Sequence, residues 1–262
     1  MRCFGSSCTV AAALYLSISS ALCLPKGYLK PSSSQTSNTN TNIFKALESF
    51  SGKLNLPTCK LERKSTTMPM PEGGYSTAFS QPEANLDISG VYFGHGTQNY
   101  TCASSTSSSL PQPNGAIATL IDISCLLKHN ADAAHKLPRQ FMSSKGHGEL
   151  MNSLINVFAV AGDHYFPDAT TPVFDFYKDE TKRFVGKKKE NVACPKTDII
   201  GDHGTVDWLN LDATELAKGF KRAYRVVTAG GKPPATCEGM AETFEVHYAT
   251  EYWFWSEKKD IN

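Results

Sequence analysis

The C-terminal stretch, residues 220–255, constrains the fold most, because it holds two dense runs of β-forming side chains around a Gly-Gly and Pro-Pro break. After the break, bulky side chains recur at alternate positions: Phe244, Val246, Tyr248, Tyr252 and Phe254. A period of two places such side chains on one face of a β-strand. Before the break, the same spacing puts these residues on one face: Phe220, Arg222, Tyr224, Val226 and Thr228. The stretch therefore predicts two strands of a sheet.

Two tryptophans lie on the other face of the second predicted strand. Trp253 and Trp255 alternate with Tyr252 and Phe254. If they were exposed, the indole rings could form a surface on which a sugar stacks. A strand with both faces covered explains the same pattern, and it is the interpretation that we favour.

The preceding chain shows short β-type runs separated by turn signals. These runs predict strands at 86–93, 98–103, 115–127, 172–177, 181–185 and 206–211. Residues 94–97 are predicted to form a turn, and residues 178–180 the tip of a hairpin.

Helical spacing is sparser. Residues 129–141 favour a helix as far as Pro138, and Leu150, Leu154 and Phe158 lie four apart. Residues 157–160 suit a strand equally well, and residues 212–218 suit one or two helical turns. The pattern as a whole predicts an all-β fold: an antiparallel β-sandwich or barrel-like domain with long loops and one or two short helices.

The N-terminus has the layout of a secretory signal peptide over residues 1–21. Arg2 supplies the positive charge, residues 10–16 form an apolar run too short to cross a bilayer, and small residues follow. Residues 22–55 are predicted to be a low-complexity flexible leader, because their Ser-, Thr- and Asn-rich part cannot bury enough surface to fold. We expect a single β-rich domain at 56–257 and a secreted, extracellular protein.

Charge does not suggest a charged partner. Arg2 is the only charged residue of the predicted signal, so 25 basic and 25 acidic side chains remain and the net charge is zero. We therefore expect neither nucleic acid nor a membrane as a partner, and a monomer. The local basic run Lys187-Lys188-Lys189 is interpreted as a solvated hairpin tip.

The cysteines of a secreted chain are expected to form disulfides. Five cysteines lie in the predicted domain, and no two have the C-x-x-C spacing of a zinc or redox site. Since five is odd, either Cys23 survives as a sixth or one thiol stays outside the bridges. Asn99 begins an Asn-Tyr-Thr glycosylation sequon.

No motif for a cofactor or a metal is present. Gly94-x-Gly96-x-x-Asn99 lacks the third glycine of a dinucleotide fingerprint and leads into a predicted strand instead of a helix. Residues 74–78 are a near miss of the serine-hydrolase elbow in a Pro/Gly-rich segment. We expect no cofactor and no metal.

Two Gly-Asp-His triplets are the remaining candidates for chemistry. They contain Asp163 with His164, and Asp202 with His203. Two Asp-His pairs that met in the fold could act as acid and base or bind a metal. Asp and His beside glycine are also ordinary turn residues, and the separation along the chain does not say whether the pairs meet.

Five motifs in this order resemble a secreted domain family of unknown function from fungi and bacteria. The motifs are GTQNYTC at 96–102, GDH at 162–164, WLNL at 208–211, YRVVTAGG at 224–231 and YATEYWF at 248–254. Fungal members of that family are often labelled malate dehydrogenase, which the residues here do not support. The resemblance supplies no catalytic residues to carry over.

The resemblance also implies a disulfide, because bacterial members tend to keep cysteines that match Cys102 and Cys237. We expect that pair to be bonded, with a stabilisation of about 4–5 kcal/mol. Cys59 with Cys125 is a second, weaker pairing, which leaves Cys194 over.

Three functions fit these observations. The favoured one is a secreted, non-enzymatic, disulfide-stabilised β-domain that binds a ligand, a polysaccharide or a host surface. The alternative is an extracellular carbohydrate-active hydrolase or lyase that uses His164 and a nearby Asp. The third is the malate dehydrogenase of the family label, for which the NAD motif is missing. We expect a binding protein rather than an enzyme.

Overall fold

The computed structural model describes residues 45–47, 59–71, 79–143, 147–177, 179–195 and 201–258, apart from the side chain of His147. The predicted signal peptide, Cys23, residues 74–78 and nearly all of the predicted leader lie outside these ranges. Residues 45–47 are helical, and Ala46 and Leu47 are buried. The predicted domain bounds stay predictions.

The described residues form a closed barrel of eight antiparallel strands in chain order. The strands are β1 (Leu86–Thr101), β2 (Gln112–Asp122), β3 (Val160–Tyr165), β4 (Val173–Phe176), β5 (Arg183–Val192), β6 (Trp208–Ala213), β7 (Arg222–Gly230) and β8 (Thr243–Glu257). Each strand pairs with the next, and β8 pairs with β1 along nearly its whole length, which closes the sheet into a barrel. The predicted all-β class is confirmed, and of its two forms the barrel is the one adopted.

Three helices fill the connection between β2 and β3: α1 (Ser124–His129), α2 (Ala131–Ser143) and α3 (His147–Val157). Helix α2 packs on β1, β7 and β8 from outside the barrel. It continues through Pro138 instead of ending there. A proline inside a helix removes one backbone hydrogen bond, which the full burial of Leu137 and Phe141 offsets. No helix within the described ranges is long and apolar enough to span a membrane.

The barrel has one apolar core inside and a second one on its outer face. Inside, Phe174 of β4 meets Phe254 of β8 at a ring distance of 5.1 Å, although these strands are not neighbours in the sheet. Outside, Trp253 and Trp255 pack in the same cluster as the apolar face of α2. Both tryptophans are buried, at 0% and 3% exposure, so the prediction that β8 is covered on both faces is confirmed.

Strand β1 is a single strand, so the predicted turn at 94–97 is wrong. Gly94 and Gly96 lie in the middle of β1 and pair with both neighbouring strands. A Cβ on Gly94 would overlap the ring of Tyr252, and one on Gly96 would overlap the backbone carbonyl of Ile117. The two glycines therefore let neighbouring strands and side chains approach β1 closely. Glycine serves both this purpose and tight turns, so the sequence does not distinguish the two.

Further sequence predictions fail at element ends. Strand β2 stops at Asp122, whose carboxylate accepts the backbone N–H of Ser124 at 2.9 Å as α1 begins. The predicted helical turns at 212–218 are absent from the described structure: residues 212–213 end β6, 215–216 form a turn, and Lys218 forms a β-bridge with Arg183. The basic run Lys187-Lys188-Lys189 lies within β5 and is not a hairpin tip, because β5 extends past β4 to pair with β6.

The predicted shared face of Phe220 and Tyr224 is also wrong. Phe220 precedes β7 and belongs to the inner core, whereas Tyr224 belongs to the outer one. The predicted hairpin of 172–177 with 181–185 is confirmed as β4 and β5.

Both expected disulfides are formed. Cys102 follows β1 and is bonded to Cys237, which precedes β8, with Cα atoms 5.8 Å apart. Cys59 is bonded to Cys125 of α1, with Cα atoms 5.0 Å apart. The first bond ties the β7–β8 loop to the end of β1, and the second ties the N-terminal segment to the outer helices. Cys194 is in neither bond.

Candidate ligand-binding site in the barrel interior

A cavity of about 1190 Å³ is lined by strands of the barrel and by the connections between them. In a barrel whose strands follow chain order, the β1–β2, β3–β4, β5–β6 and β7–β8 loops meet at the same end. Each of these loops contributes to the cavity wall, through Pro111, Thr171, Val206 and Pro233 among others. Below the loops, the wall consists of inward-facing side chains of the strands, so the cavity continues into the barrel interior.

His164 of β3 lies on this wall and is 3% exposed. Its ring stacks on Phe174 with centroids 3.9 Å apart and meets the edge of Tyr252 at 5.5 Å. Its Nδ1 donates to the backbone carbonyl of Val173 at 2.8 Å, and since a carbonyl can only accept, Nδ1 carries the proton. Nε2 is therefore a hydrogen-bond acceptor.

Burial, together with the smaller effect of the nearby charge of Arg225, lowers the pKa of His164 to about 3, against the opposing effect of the hydrogen bond to Val173. The imidazole is consequently neutral near pH 7. It can accept a hydrogen bond from a ligand, but it is a weak general base at that pH.

Arg225 of β7 is the charged side chain that reaches the interior. It is 8% exposed and lines the cavity beside its cross-strand neighbours Leu209 and Tyr252. Nη2 donates to the backbone carbonyl of Asp207 at 2.9 Å, and Nη1 reaches Oε1 of Gln98 at 3.5 Å. Nε has no hydrogen-bond partner, and no carboxylate among the described residues forms an ion pair with this guanidinium.

Tyrosine hydroxyls add neutral polar groups. The hydroxyls of Tyr248 and Tyr252 are 2.8 Å apart, and Tyr100 donates its own to the carbonyl of Gly231 at 2.7 Å. Burial raises the pKa of Tyr252, against the opposing charge of Arg225, and burial raises the pKa of Tyr100 to about 12. All three stay protonated at physiological pH, and Tyr100 and Tyr252 line the cavity.

The other residues singled out in the sequence do not join His164. Asp163 lies on the opposite face of β3, where its carboxylate accepts the hydroxyl of Tyr177. Asp202 and His203 are exposed in the turn at 201–204. The two Gly-Asp-His triplets therefore do not form one site. Among the residues described above, no group of three or more His, Cys, Asp or Glu side chains is placed to hold a metal.

Sequence reasoning missed Arg225 and Gln98. A signal for Arg225 was present, since an arginine within the apolar strand run Ala223-Tyr224-Arg225-Val226 is a candidate buried charge. The alternation placed Arg222 on a predicted core face instead, and it could not show which face lines the barrel interior. No feature of the sequence points to Gln98 as a cavity residue, because the predicted turn at 94–97 makes Gln98 the first residue of a separate short strand.

The mouth of the cavity has an excess of positive charge. Four basic side chains line the cavity against two acidic ones: Arg225, Lys187, Lys188 and Lys232 against Asp207 and Glu215. The three lysines are at the mouth, and Lys187 and Lys188 are exposed. An excess of one sign at an opening attracts ligands of the other.

Comparison with known proteins gives a family and no activity. The model of the family described as "Protein of unknown function (DUF3455)" matches residues 82–256, which is more than half of the chain and includes the barrel from the start of β1 to Ser256, one residue before the end of β8. Searches of curated proteins and of solved structures found no significant match.

Proposed function

We propose, for a chain that belongs to the DUF3455 family of proteins of unknown function, that the barrel interior binds one small, largely apolar organic molecule. The cavity of about 1190 Å³ carries this proposal. Ligand pockets for small molecules usually measure about 300–1,000 Å³ and combine apolar walls with a few polar groups. An eight-stranded barrel is also the size at which the interior can hold one such ligand.

The lining supports a ligand with aromatic or aliphatic character. Phe174, Leu209 and Leu211 are strand residues on the wall, and His164 and Tyr252 add ring faces and single polar atoms. Polar groups of this kind fix the orientation of a ligand, whereas the apolar wall supplies most of the binding free energy.

Binding at the outer surface has less support. Trp253 and Trp255, which could have stacked on a polysaccharide, are buried under the outer core. The described residues therefore give less support to a polysaccharide or a host surface as the partner than to a small molecule in the cavity.

Secretion is part of the proposal. It rests on the predicted signal peptide at 1–21, and the two disulfides support it because such bonds persist in oxidising compartments. Asn99, the predicted glycosylation site, is half-buried in β1, and its Oδ1 accepts the hydroxyl of Thr97 at 3.0 Å. Sequencing the N-terminus of the exported protein and treating it with a glycosidase test both predictions.

A hydrolase or lyase is the less favoured function. That alternative needs a carboxylate beside His164, and the hydrogen bond at Nδ1 goes instead to a backbone carbonyl. The dehydrogenase label is also not favoured, because dinucleotides are bound by parallel strands with a helix following the first, whereas these eight strands are antiparallel.

Titration with the neutral fluorescent probe N-phenyl-1-naphthylamine tests the proposal. We expect saturable one-to-one binding with a micromolar Kd. Leu209→Trp, which fills part of the cavity, should weaken binding at least tenfold. Ile117→Trp is the matched control, because Ile117 is 56% exposed on the barrel wall and outside the cavity lining. The proposal fails if the probe does not bind, or if both variants bind as the wild type does.

A further inference from the structure

We infer that the ligand is an amphipathic carboxylic acid whose carboxylate binds Arg225 while its apolar part occupies the rest of the cavity. This inference rests on the proposed function, since it names the chemical class of the molecule that the barrel holds. It is carried by a buried guanidinium that has no counter-ion among the residues that the structure describes.

Strand β7 contains two buried arginines, and they differ in how their charge is met. Arg222 lies on the outer side, where Nη1 contacts the carboxylate of Asp212 and Nη2 that of Glu83. Arg225 lies three residues later on the inner side, and its Nη atoms contact only neutral oxygens. Within the described part of the chain, carboxylates neutralise the outer arginine, and none pairs with the inner one.

A charge buried without a partner is costly, so a native structure normally supplies one. One candidate among the described residues is Asp207, whose backbone carbonyl accepts from Nη2 of Arg225. Its carboxylate, however, is on the exposed side and accepts Nδ2 of Asn191 at 3.0 Å. Glu215 is exposed. The missing anion is therefore expected from the molecule that fills the cavity.

The chemistry of the guanidinium favours a carboxylate. Its planar set of N–H donors matches the two oxygens of a carboxylate, and such charge-assisted hydrogen bonds are among the strongest in proteins. Nε of Arg225 is a donor without a partner, and the amide nitrogen of Gln98 beside it has no partner of good geometry either. Arg225 and Gln98 both line the cavity, so both donors lie beside the space that we assign to the anion.

The other residues of the cavity lining indicate the chemical character of the rest of the ligand. His164 is neutral and offers only an acceptor nitrogen, so it does not provide a second charged anchor. Phe174, Leu209 and Leu211 form apolar wall. Lys187, Lys188 and Lys232 near the mouth attract an anion before it enters. One anionic end and one apolar body match this distribution.

Isothermal titration at pH 7.5 with dodecanoate and with dodecanol, each added directly to the ligand-free protein, tests the inference. We expect dodecanoate to bind at least tenfold more tightly than dodecanol. Arg225→Gln should reduce the affinity for dodecanoate at least tenfold and leave that for dodecanol within about twofold, a difference expected from losing one charge-assisted contact. Arg183→Gln is the matched control, since Arg183 is 41% exposed and pairs with Asp175.

Equal affinity for the acid and the alcohol in the wild type would overturn the inference while leaving the proposed cavity function intact. The same holds if Arg225→Gln keeps the wild-type preference. The comparison of the two ligands needs no variant, so it decides the question even if Arg225→Gln does not fold. If neither dodecanoate nor the neutral naphthylamine probe binds, both the inference and the proposed function fail.

Discussion

Nδ1 of His135, on α2, lies 2.9 Å from Oε1 of Glu251, a carboxylate that is fully buried in β8. The other oxygen of Glu251 accepts Nε1–H of Trp253 at 2.8 Å. This contact fixes α2 to the outside of the barrel through a buried charge. Burial lowers the pKa of His135, but the hydrogen bond to Glu251 and the charges of Glu251 and Asp132 together raise it above its usual value.

The first prediction is a pH-dependent loss of stability in His135→Gln. Because the folded pKa of His135 is raised, its contribution is full below the unfolded value of about 6.5 and is lost as the pH rises through the folded pKa. We expect the variant to lose about 1–2 kcal/mol of unfolding free energy at pH 5.5 and less at pH 8.5. Urea unfolding at both pH values measures this, with Lys136→Ala, in an exposed pair with Asp132, as the control. An equal loss at both pH values would contradict the role of the charge.

The second prediction concerns acid destabilisation through His164. A buried histidine with a pKa near 3 binds fewer protons than the unfolded chain between pH 3 and 6.5, so it lowers stability as the pH falls through that window. His164→Phe should remove this term, and its stability should fall by about 3 kcal/mol less than that of the wild type between pH 7 and pH 4.5. His203→Gln, at an exposed histidine, should follow the wild-type profile. Parallel profiles for wild type and His164→Phe would show that His164 titrates normally.

The third prediction is that the Cys102–Cys237 bond contributes more than the Cys59–Cys125 bond. The first closes a loop with a sequence separation of 135 and the second one of 66. In the chain-entropy model, removal of either bond costs about 4–5 kcal/mol, and the longer loop costs roughly 0.6 kcal/mol more. Urea unfolding of the two double Cys→Ser variants measures both. A loss below about 1 kcal/mol for the Cys102–Cys237 pair would contradict the expected stabilisation.

The fourth prediction is that Gly96→Ala is strongly destabilising. A Cβ at Gly96 would overlap the backbone carbonyl of Ile117, and backbone cannot move aside as a side chain can. We expect a loss of at least about 2–3 kcal/mol, measured by urea unfolding. Gly148→Ala is the control, because nothing lies within 4 Å of its added Cβ and the residue is in helix α3, where alanine should stabilise by about 0.5–1 kcal/mol. A loss at Gly96 no larger than 0.5 kcal/mol would show that β1 and β2 can separate there.

The pairing of strands with strong local signals could be predicted from the sequence. The alternation of bulky side chains in 243–257 and the turn chemistry between β4 and β5 act over a few residues, so they are visible in the chain itself. The disulfide between Cys102 and Cys237 came from the resemblance to a family, since spacing alone leaves several pairings open.

The candidate site could be predicted only in part. His164 was singled out and lies on the cavity wall, but its supposed partners Asp202 and His203 lie in an exposed turn elsewhere. Successive side chains of a β-strand point to opposite faces of the sheet. Asp163 and His164 are neighbours in sequence, so their side chains lie on opposite sides of β3.

The sequence by itself determined that this chain forms β-strands and that the strand holding Trp253 and Trp255 is covered on both faces, because the alternation of side chains depends only on local geometry. Only the tertiary structure decided that the strands close into a barrel, that Gly94 and Gly96 lie inside one strand, and that Arg225 faces the interior with no described carboxylate paired to it. Those properties depend on contacts between residues far apart in the chain. Which of two faces becomes the inside of a closed sheet is set by all eight strands together and by no single one of them.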